Sequence, residues 1–260
     1  MRKLTAAAPG EALRLLQITD CHLFADPDGD MYGGCTRRSL VKVLEAARPH
    51  LENCHAVLAT GDLSQDESEK SYLDFVKLMT PFNRPVLSIP GNHDRSELMR
   101  VHLNQGLFQF CGAARGGNWL LVMLSSQNRG RTAGALSEQE RERWQELVGQ
   151  HPDCHVLVCL HHQPVNIGSA WLDGIGLAGA DTFMQQVSAT SNLRGVVWGH
   201  IHQEFESRSA GVHLLAAPST CHQFVAGQDD FGMHLGRSGY RTLELHPDGR
   251  IETQVHWVST

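Results

Sequence analysis

The chain has 260 residues, 41% of them hydrophobic and 19% charged, the composition of an ordinary folded protein long enough for a sizeable core. A formal net charge of -6 argues against a nucleic-acid partner, and no run reaches the roughly 18 apolar residues of a membrane span. The unusual figure is 16 histidines against 22 lysines and arginines together, a density that suggests ligands rather than surface decoration. The seven cysteines (Cys21, Cys35, Cys54, Cys111, Cys154, Cys159 and Cys221) are odd in number and form no C-x-x-C pair. Free thiols in a reducing cytoplasm are therefore expected. Cys154 and Cys159 lie near His161 but sit in a Val/Leu-rich run, and read as core thiols rather than a zinc knuckle. Met1-Arg2-Lys3 and Leu4-Thr5-Ala6-Ala7-Ala8 imitate a signal peptide, but Pro9, Gly10 and Glu11 cut its apolar part short.

Residues 13–18 are predicted to form a strand ending at Thr19-Asp20-Cys21-His22. Residues two apart on extended chain share a face, so Asp20 and His22 should point the same way. The spacing of Leu40, Val43, Leu44 and Ala47 predicts an amphipathic helix from about Thr36 to Ala47. Residues 56–59 form the second strand, ending at Thr60-Gly61-Asp62. Asp66 with Glu69 has the form of a capping box opening a helix through Met79. Residues 85–90 form a third strand, closed by Pro90-Gly91 and followed by Asn92-His93-Asp94. Residues 119–124 are a further strand, and Ser137-Glu138-Gln139-Glu140 caps a charged helix to about Val148.

Residues 156–160 read as a buried strand ending at His161-His162-Gln163-Pro164, where alternation lets only one histidine enter a site directly. Residues 166–180, rich in Gly and holding Trp171-Leu172-Asp173, read as a loop over the site. A helix from about Asp181 leads to strand 195–198, which ends at Gly199-His200-Ile201-His202. From Phe205 onward the pattern becomes strands without helices (213–216, 241–245 and 251–257), with Pro247-Asp248-Gly249 as a hairpin turn. No repeat or linker interrupts the chain, which reads as one domain, 1–260.

Five apolar strands thus end in metal-type ligands: Asp20/His22, Asp62, Asn92/His93, His161 and His200/His202. In open α/β sheets ligands collect beyond the carboxyl ends of the strands, so these distant loops can converge. The donors are carboxylate, carboxamide and imidazole without thiolate, a mixture suited to iron, manganese or zinc in hydrolysis. Seven ligands are too many for one tetrahedral ion but fit two if a carboxylate bridges. Two such cations can lower the pKa of a water to about 7 and neutralise phosphoryl oxygens. A histidine that holds no metal can then protonate the leaving oxygen. His93, beside Asn92, is the candidate for that step; His162, His213, His222 and His234 read as structural.

D-x-H, G-D, G-N-H-D, H and G-H-x-H, in this order from Asp20 to His202, resemble the calcineurin-like metallophosphoesterase signature. The resemblance implies an α/β four-layer sandwich (αββα), two mixed β-sheets flanked by helices, with two metal ions per chain at the strand ends. It assigns Asp20, His22 and His202 to one ion, Asn92, His161 and His200 to the other, and Asp62 to both. Longer stretches resemble the class III bacterial 3′,5′-cyclic AMP phosphodiesterases: Leu16-Gln17-Ile18-Thr19-Asp20, Ser169-Ala170-Trp171-Leu172-Asp173, Ala217-Pro218-Ser219-Thr220-Cys221 and Tyr240-Arg241-Thr242. That resemblance implies hydrolysis of a small cyclic nucleotide, cyclic AMP, to 5′-AMP in the cytoplasm. It also implies substrate contacts from His22, Asp62, Asn92, His93 and His202, with iron and/or manganese bound, zinc or cobalt being the alternatives.

Two positions depart from the pattern. Gln65 stands where the phosphatase branch has a carboxylate, and Gly179 where relatives often carry Asn. Trp171 and Asp173 offer a stacking surface and a hydrogen-bond acceptor to a purine, while Trp171 equally suits an anchor that packs its loop down. The same motifs also admit a phosphodiesterase for other cyclic nucleotides or glycerophosphodiesters, and a non-catalytic scaffold. Oligomeric state is left open, a dimer included.

Overall fold

The computed structural model describes residues 1–5 and 10–260. Ala6 to Pro9 of the leader-like stretch lie outside the described residues, while Arg2–Lys3 pair in parallel with Ala114 and Arg115. Two mixed sheets dominate. The six-stranded sheet runs in the order Ile251–Ser259, Arg237–Leu245, Leu13–Ile18, Ala56–Ala59, Val86–Ser88, Phe108–Phe110, its last four strands parallel. The seven-stranded sheet runs Arg2–Lys3, Gly112–Gly116, Trp119–Met123, His155–Cys159, Leu193–Trp198, Val212–Ala216, Phe205–Ser209, with four parallel strands inside it.

Strand alternation decides what each side chain meets. Leu15, Leu58 and Leu87 of one sheet face Leu121, Leu157, Val197 and Leu215 of the other, making a core between the sheets. Leu16, Ile18 and Val57 face outward onto Leu40, Val43 and Leu44 of helix Thr36–Leu51 and onto Tyr72 and Phe75 of helix Glu69–Met79. On the far side, Val122, Val158 and Val196 pack against Trp144 of helix Glu138–Gln150 and Phe183 of helix Ala180–Ala189. The layers are therefore αββα, as the sequence led one to expect. Arg241 ties the sheets together from inside: its buried guanidinium donates to Ala216 O (3.0 and 3.2 Å), Phe205 O (3.2 Å) and Thr253 Oγ1 (2.9 Å). Those bonds compensate a cation that would otherwise be costly to bury.

Several local expectations change. The Thr36 helix continues to Leu51, because Leu51 adds one more turn to the buried stripe. Helix Glu69–Met79 is capped by Ser68, whose Oγ accepts from Ser71 N (3.2 Å), and not by Asp66. Glu67 takes a left-handed φ of 54°, which breaks the chain between Asp66 and the helix. Asp66 instead accepts from Ala25 N (2.8 Å) and Ser68 N (3.1 Å), joining two loops. The 166–180 segment holds a short helix, Ala170–Asp173, and a strand, Leu177–Ala178, paired with Gly134–Ala135. Helix Ser96–His102 and strands Phe108–Phe110 and Gly112–Gly116 had no expectation. They are short, and Gly112–Gly116 contains no β-branched residue.

The inter-sheet core predicts unequal costs for two leucines. Leu157→Ala should lower the unfolding free energy by about 2–5 kcal/mol, and the half-exposed Leu73→Ala by less than about 0.5 kcal/mol, as read by denaturant titration. Equal losses would show that the space between the sheets is not the principal core.

Candidate active site

The parallel strands of both sheets deliver their following loops to one place. Leu13–Ile18, Ala56–Ala59 and Val86–Ser88 supply Asp20, His22, Asp62, Asn92 and His93; His155–Cys159 and Leu193–Trp198 supply His161, His200 and His202. The chain is not extended at these positions, as the face-sharing argument for Asp20 and His22 assumed. Asp20, His22, Asp62, His200 and His202 have φ of 54°, 46°, 50°, 67° and 46°, all left-handed. Such backbone is unfavourable for residues with a Cβ and marks positions the surroundings impose. Here loop–loop hydrogen bonds impose it, with Asp20 N donating to Gly61 O (2.9 Å) and His22 N to Asp62 O (2.9 Å). Two glycines make room: a Cβ on Gly91 would overlap the Asp62 carboxylate, and one on Gly199 would overlap Thr19 and Asp20.

The side chains converge. His161 Nε2 lies 3.4 Å from Asp62 Oδ2 and 4.0 Å from Asp20 Oδ1, His202 Nε2 3.4 Å from Asp20 Oδ1, and His22 Nε2 3.8 Å from Asp62 Oδ2. Each imidazole has its other nitrogen engaged by an oxygen. His161 Nδ1 donates to Thr60 O (2.7 Å), His202 Nδ1 to His222 O (3.0 Å), His22 Nδ1 to Gln65 Oε1 (2.7 Å) and His200 Nε2 to Ile175 O (3.2 Å). Those bonds orient the rings and leave the other ring nitrogen of each free to face the centre, the usual setting of metal-ligating histidines. His162 lies behind, both of its nitrogens taken by Ser126 Oγ (2.8 Å) and Thr132 O (3.0 Å), so only His161 of the pair enters.

Burial works against charge at every one of these groups, and neighbours decide the outcome. It disfavours ionised Asp62, yet the charges of His161 and His22 hold that carboxyl well below the usual carboxylate range. Asp20 follows the same balance, lowered by His202 and His161. His161, opposed by burial but facing both carboxylates, is pushed up to about 9, whereas burial carries His22 down to about 4.

The donor set fits such cations. His22 Nε2 and His202 Nε2 face each other at 3.1 Å with lone pairs inward, the separation of two nitrogens each about 2.1 Å from one ion. Asn92 Oδ1 and His161 Nε2 are buried without a hydrogen-bond partner among the described residues, a costly state unless a cation takes them.

Residues outside the candidate ligand set hold this arrangement, and the roles of Asp94 and Gln17 carried no expectation. Asp94 accepts from Gly91 N (2.9 Å), Ser64 N (3.0 Å), Leu63 N (3.1 Å) and Tyr72 OH (3.2 Å), locking the Asp62 loop to the Asn92 loop. Burial and the Asp62 charge push its carboxyl up to about 7, while those amides pull the other way. Gln17 bridges the sheets beneath the site, donating to Thr60 Oγ1 (3.0 Å) and Trp198 O (2.9 Å). Asp173 does not offer a free acceptor to a ligand, since its carboxylate accepts from Ile167 N (2.8 Å) and Gly168 N (3.3 Å) and closes its own loop. Gly179 has a left-handed φ of 72° ahead of helix Ala180–Ala189, a conformation Asn also tolerates.

Elemental analysis of purified variants tests the shared carboxylate. Asp62→Ala should lose all bound metal, while Gln65→Ala, which frees the His22 ring, should weaken one site by about 10–100-fold. Two tightly held ions in Asp62→Ala protein would refute the shared position of Asp62.

Residues 13–204 match the calcineurin-like phosphoesterase family. The chain is 38% identical over 247 residues to the 3′,5′-cyclic adenosine monophosphate phosphodiesterase CpdA of Haemophilus influenzae, covering 94% of this chain and 89% of that protein. To the protein of the same name from Pseudomonas aeruginosa it is 37% identical over 257 residues, 99% of this chain and 94% of that one. Among solved structures, a dimetal phosphatase from Danio rerio superposes with a TM-score of 0.65 at 15% identity, over 94% of this chain and 98% of that one, which shows a shared fold. That fold implies a dinuclear metal site, and the cluster at the strand ends contains side chains suited to it. Motif order, αββα layering and nearly full-length similarity agree: the chain belongs to the calcineurin-like phosphoesterase family.

Proposed function

We propose that the chain hydrolyses 3′,5′-cyclic AMP to 5′-AMP, using two metal ions held by Asp20, His22, Asp62, Asn92, His161, His200 and His202. The observation that carries the chemistry is the meeting of carboxylates and inward-turned imidazoles in one buried cluster, a donor set that fits divalent cations. The choice of substrate rests on the relatives named as cyclic AMP phosphodiesterases, at 36–38% identity over 94–99% of this chain. Oxygen and nitrogen donors favour iron and/or manganese, with zinc or cobalt able to take the same positions. The core shared by both sheets supports a single domain over all 260 residues, and seven unpaired cysteines support a cytoplasmic location.

Two divalent ions, once bound, supply a water acidified to near neutral pH and positive charge beside the phosphoryl oxygens. The chain's own residues do the rest. Asp20 and Asp62 bring two negative charges, so a pair of divalent ions would leave the site net positive and receptive to an anionic phosphodiester. A cleft lined by His22, Asp62, Asn92, His93, His200 and His202 receives the diester. His93 is the residue for the departing 3′ oxygen. Its backbone N–H donates to Asp62 Oδ1 (2.8 Å), which anchors it, and its half-buried ring stands edge-on to His22 at 5.1 Å. Protonation by such a side chain contributes about 10²–10⁴-fold to a rate.

Chromatography of the products of metal-loaded protein tests the substrate. 5′-AMP should be the product from cyclic AMP, whereas 3′-AMP, or turnover of linear diesters alone, would overturn the reading. A second experiment tests His93. His93→Ala should keep both metals and lose about 10²–10⁴-fold in turnover, less for a nitrophenyl leaving group that needs no proton. The same loss for every leaving group would make His93 a positioning residue.

A further inference from the structure

Few large hydrophobic side chains are left in solvent among the described residues, and two of them, Tyr32 (56% exposed) and Phe231 (52% exposed), stand together at one place. Their rings are 5.9 Å apart, and Tyr32 lines the same cleft as His22, Asp62, Asn92 and His93. Each is borne on a short hairpin. Tyr32 and Gly33 form the two-residue tip between Asp30–Met31 and Gly34–Cys35, both with positive φ (55° and 88°). Phe231 lies in the loop between the paired segments Gln223–Phe224 and Met233–His234. A two-residue tip of this kind favours Asn or Gly at its first position. A bulky aromatic is not what such a turn prefers, and although its ring also meets His222 edge-on at 5.7 Å, more than half of the side chain is left to solvent. Behind the pair runs a continuous aromatic wall: Phe231 meets Trp171 edge-on at 5.3 Å, Trp171 meets Phe224 at 4.9 Å, and Phe224 stacks on His202 at 4.2 Å and 18°. The wall therefore begins at a candidate metal ligand and ends at Tyr32.

The geometry points to Tyr32 and Phe231 as the base-recognition element of this enzyme, two hairpin tips that hold the purine of the cyclic nucleotide against the Trp171–Phe224 wall while its phosphate sits at the metal cluster. This inference rests on the cyclic nucleotide reading above. Stacking on aromatic faces tolerates any base, so the pair selects nucleotides over base-free diesters and leaves adenine against guanine undecided. Asp173 has no part in it, its carboxylate being spent on its own loop.

The test is the selectivity of metal-loaded protein for cyclic AMP over methyl p-nitrophenyl phosphate, a diester without a base, taken as the ratio of kcat/KM values. Tyr32→Asn suits the left-handed tip better than tyrosine, so the variant should fold with an undiminished Tm. Its selectivity ratio should fall roughly tenfold, through KM for cyclic AMP rather than kcat. Phe231→Ala should fall similarly, and Tyr32→Phe, which keeps the ring, should stay near wild type. An unchanged ratio in both Tyr32→Asn and Phe231→Ala, an equal loss on both substrates, or a Tyr32→Phe variant as impaired as Tyr32→Asn would each overturn the inference. Wild-type protein that turns over the base-free diester but not cyclic AMP would instead remove the reading beneath it, and the base element with it.

Discussion

A cluster of buried groups that cannot be at rest on its own organises this molecule. Asp20 and Asp62 are held in the ionised form, four imidazoles have one ring nitrogen tied to an oxygen and the other left for the cluster, and the inward nitrogens of His22 and His202 meet at 3.1 Å. Lone pairs facing one another in a low-dielectric interior repel, and an unpartnered carboxamide oxygen such as Asn92 Oδ1 costs free energy as well. Binding of divalent cations turns each of these costs into a stabilising contact. It follows that stability and metal content are linked in this protein, since an ion that binds only the folded state stabilises it.

Much of the remaining structure makes such a cluster possible. The core between the sheets fixes the spacing of the strands, and the strand ends then have no freedom in where they deliver their loops. Left-handed backbone at five of the seven candidate ligand positions stores strain that those loops do not relieve locally. Gln17 and Arg241 join the two sheets by hydrogen bonds, and Asp94 joins the Asp62 and Asn92 loops. Ser219, from the far end of the chain, donates to Asp20 O at 2.8 Å and so ties a segment distant in sequence to the first of these loops.

What the sequence conveyed and what it withheld differ in kind. Short apolar runs ending in Asp, Asn or His could be read directly, because a parallel strand announces itself by composition and its carboxyl end is where ligands gather. The αββα layers followed from that, and so did the seven positions proposed as ligands. The manner in which Asp20 and His22 converge did not, because a left-handed residue cannot be inferred for Asp or His from spacing. Gln65 could be seen only as a departure from a pattern, and its contact with His22 Nδ1 requires the fold. Asp66 and Asp173 show the reverse error. Each has the residue type of a cap or a ligand contact, and each is spent instead on backbone amides, Asp66 on Ala25 and Ser68 and Asp173 on its own loop. Tyr32 gave no signal at all, since one tyrosine in a Gly-rich loop is unremarkable until its neighbour across the cleft is known.

The central claim is that two cations occupy the strand-end cluster and share one carboxylate. Anomalous scattering from crystals of metal-loaded protein measures it most directly. The account predicts two peaks, one bounded by Asp20, His22 and His202, the other by Asn92, His161 and His200, with Asp62 in contact with both. A single peak, or a second peak away from Asp62, would contradict it.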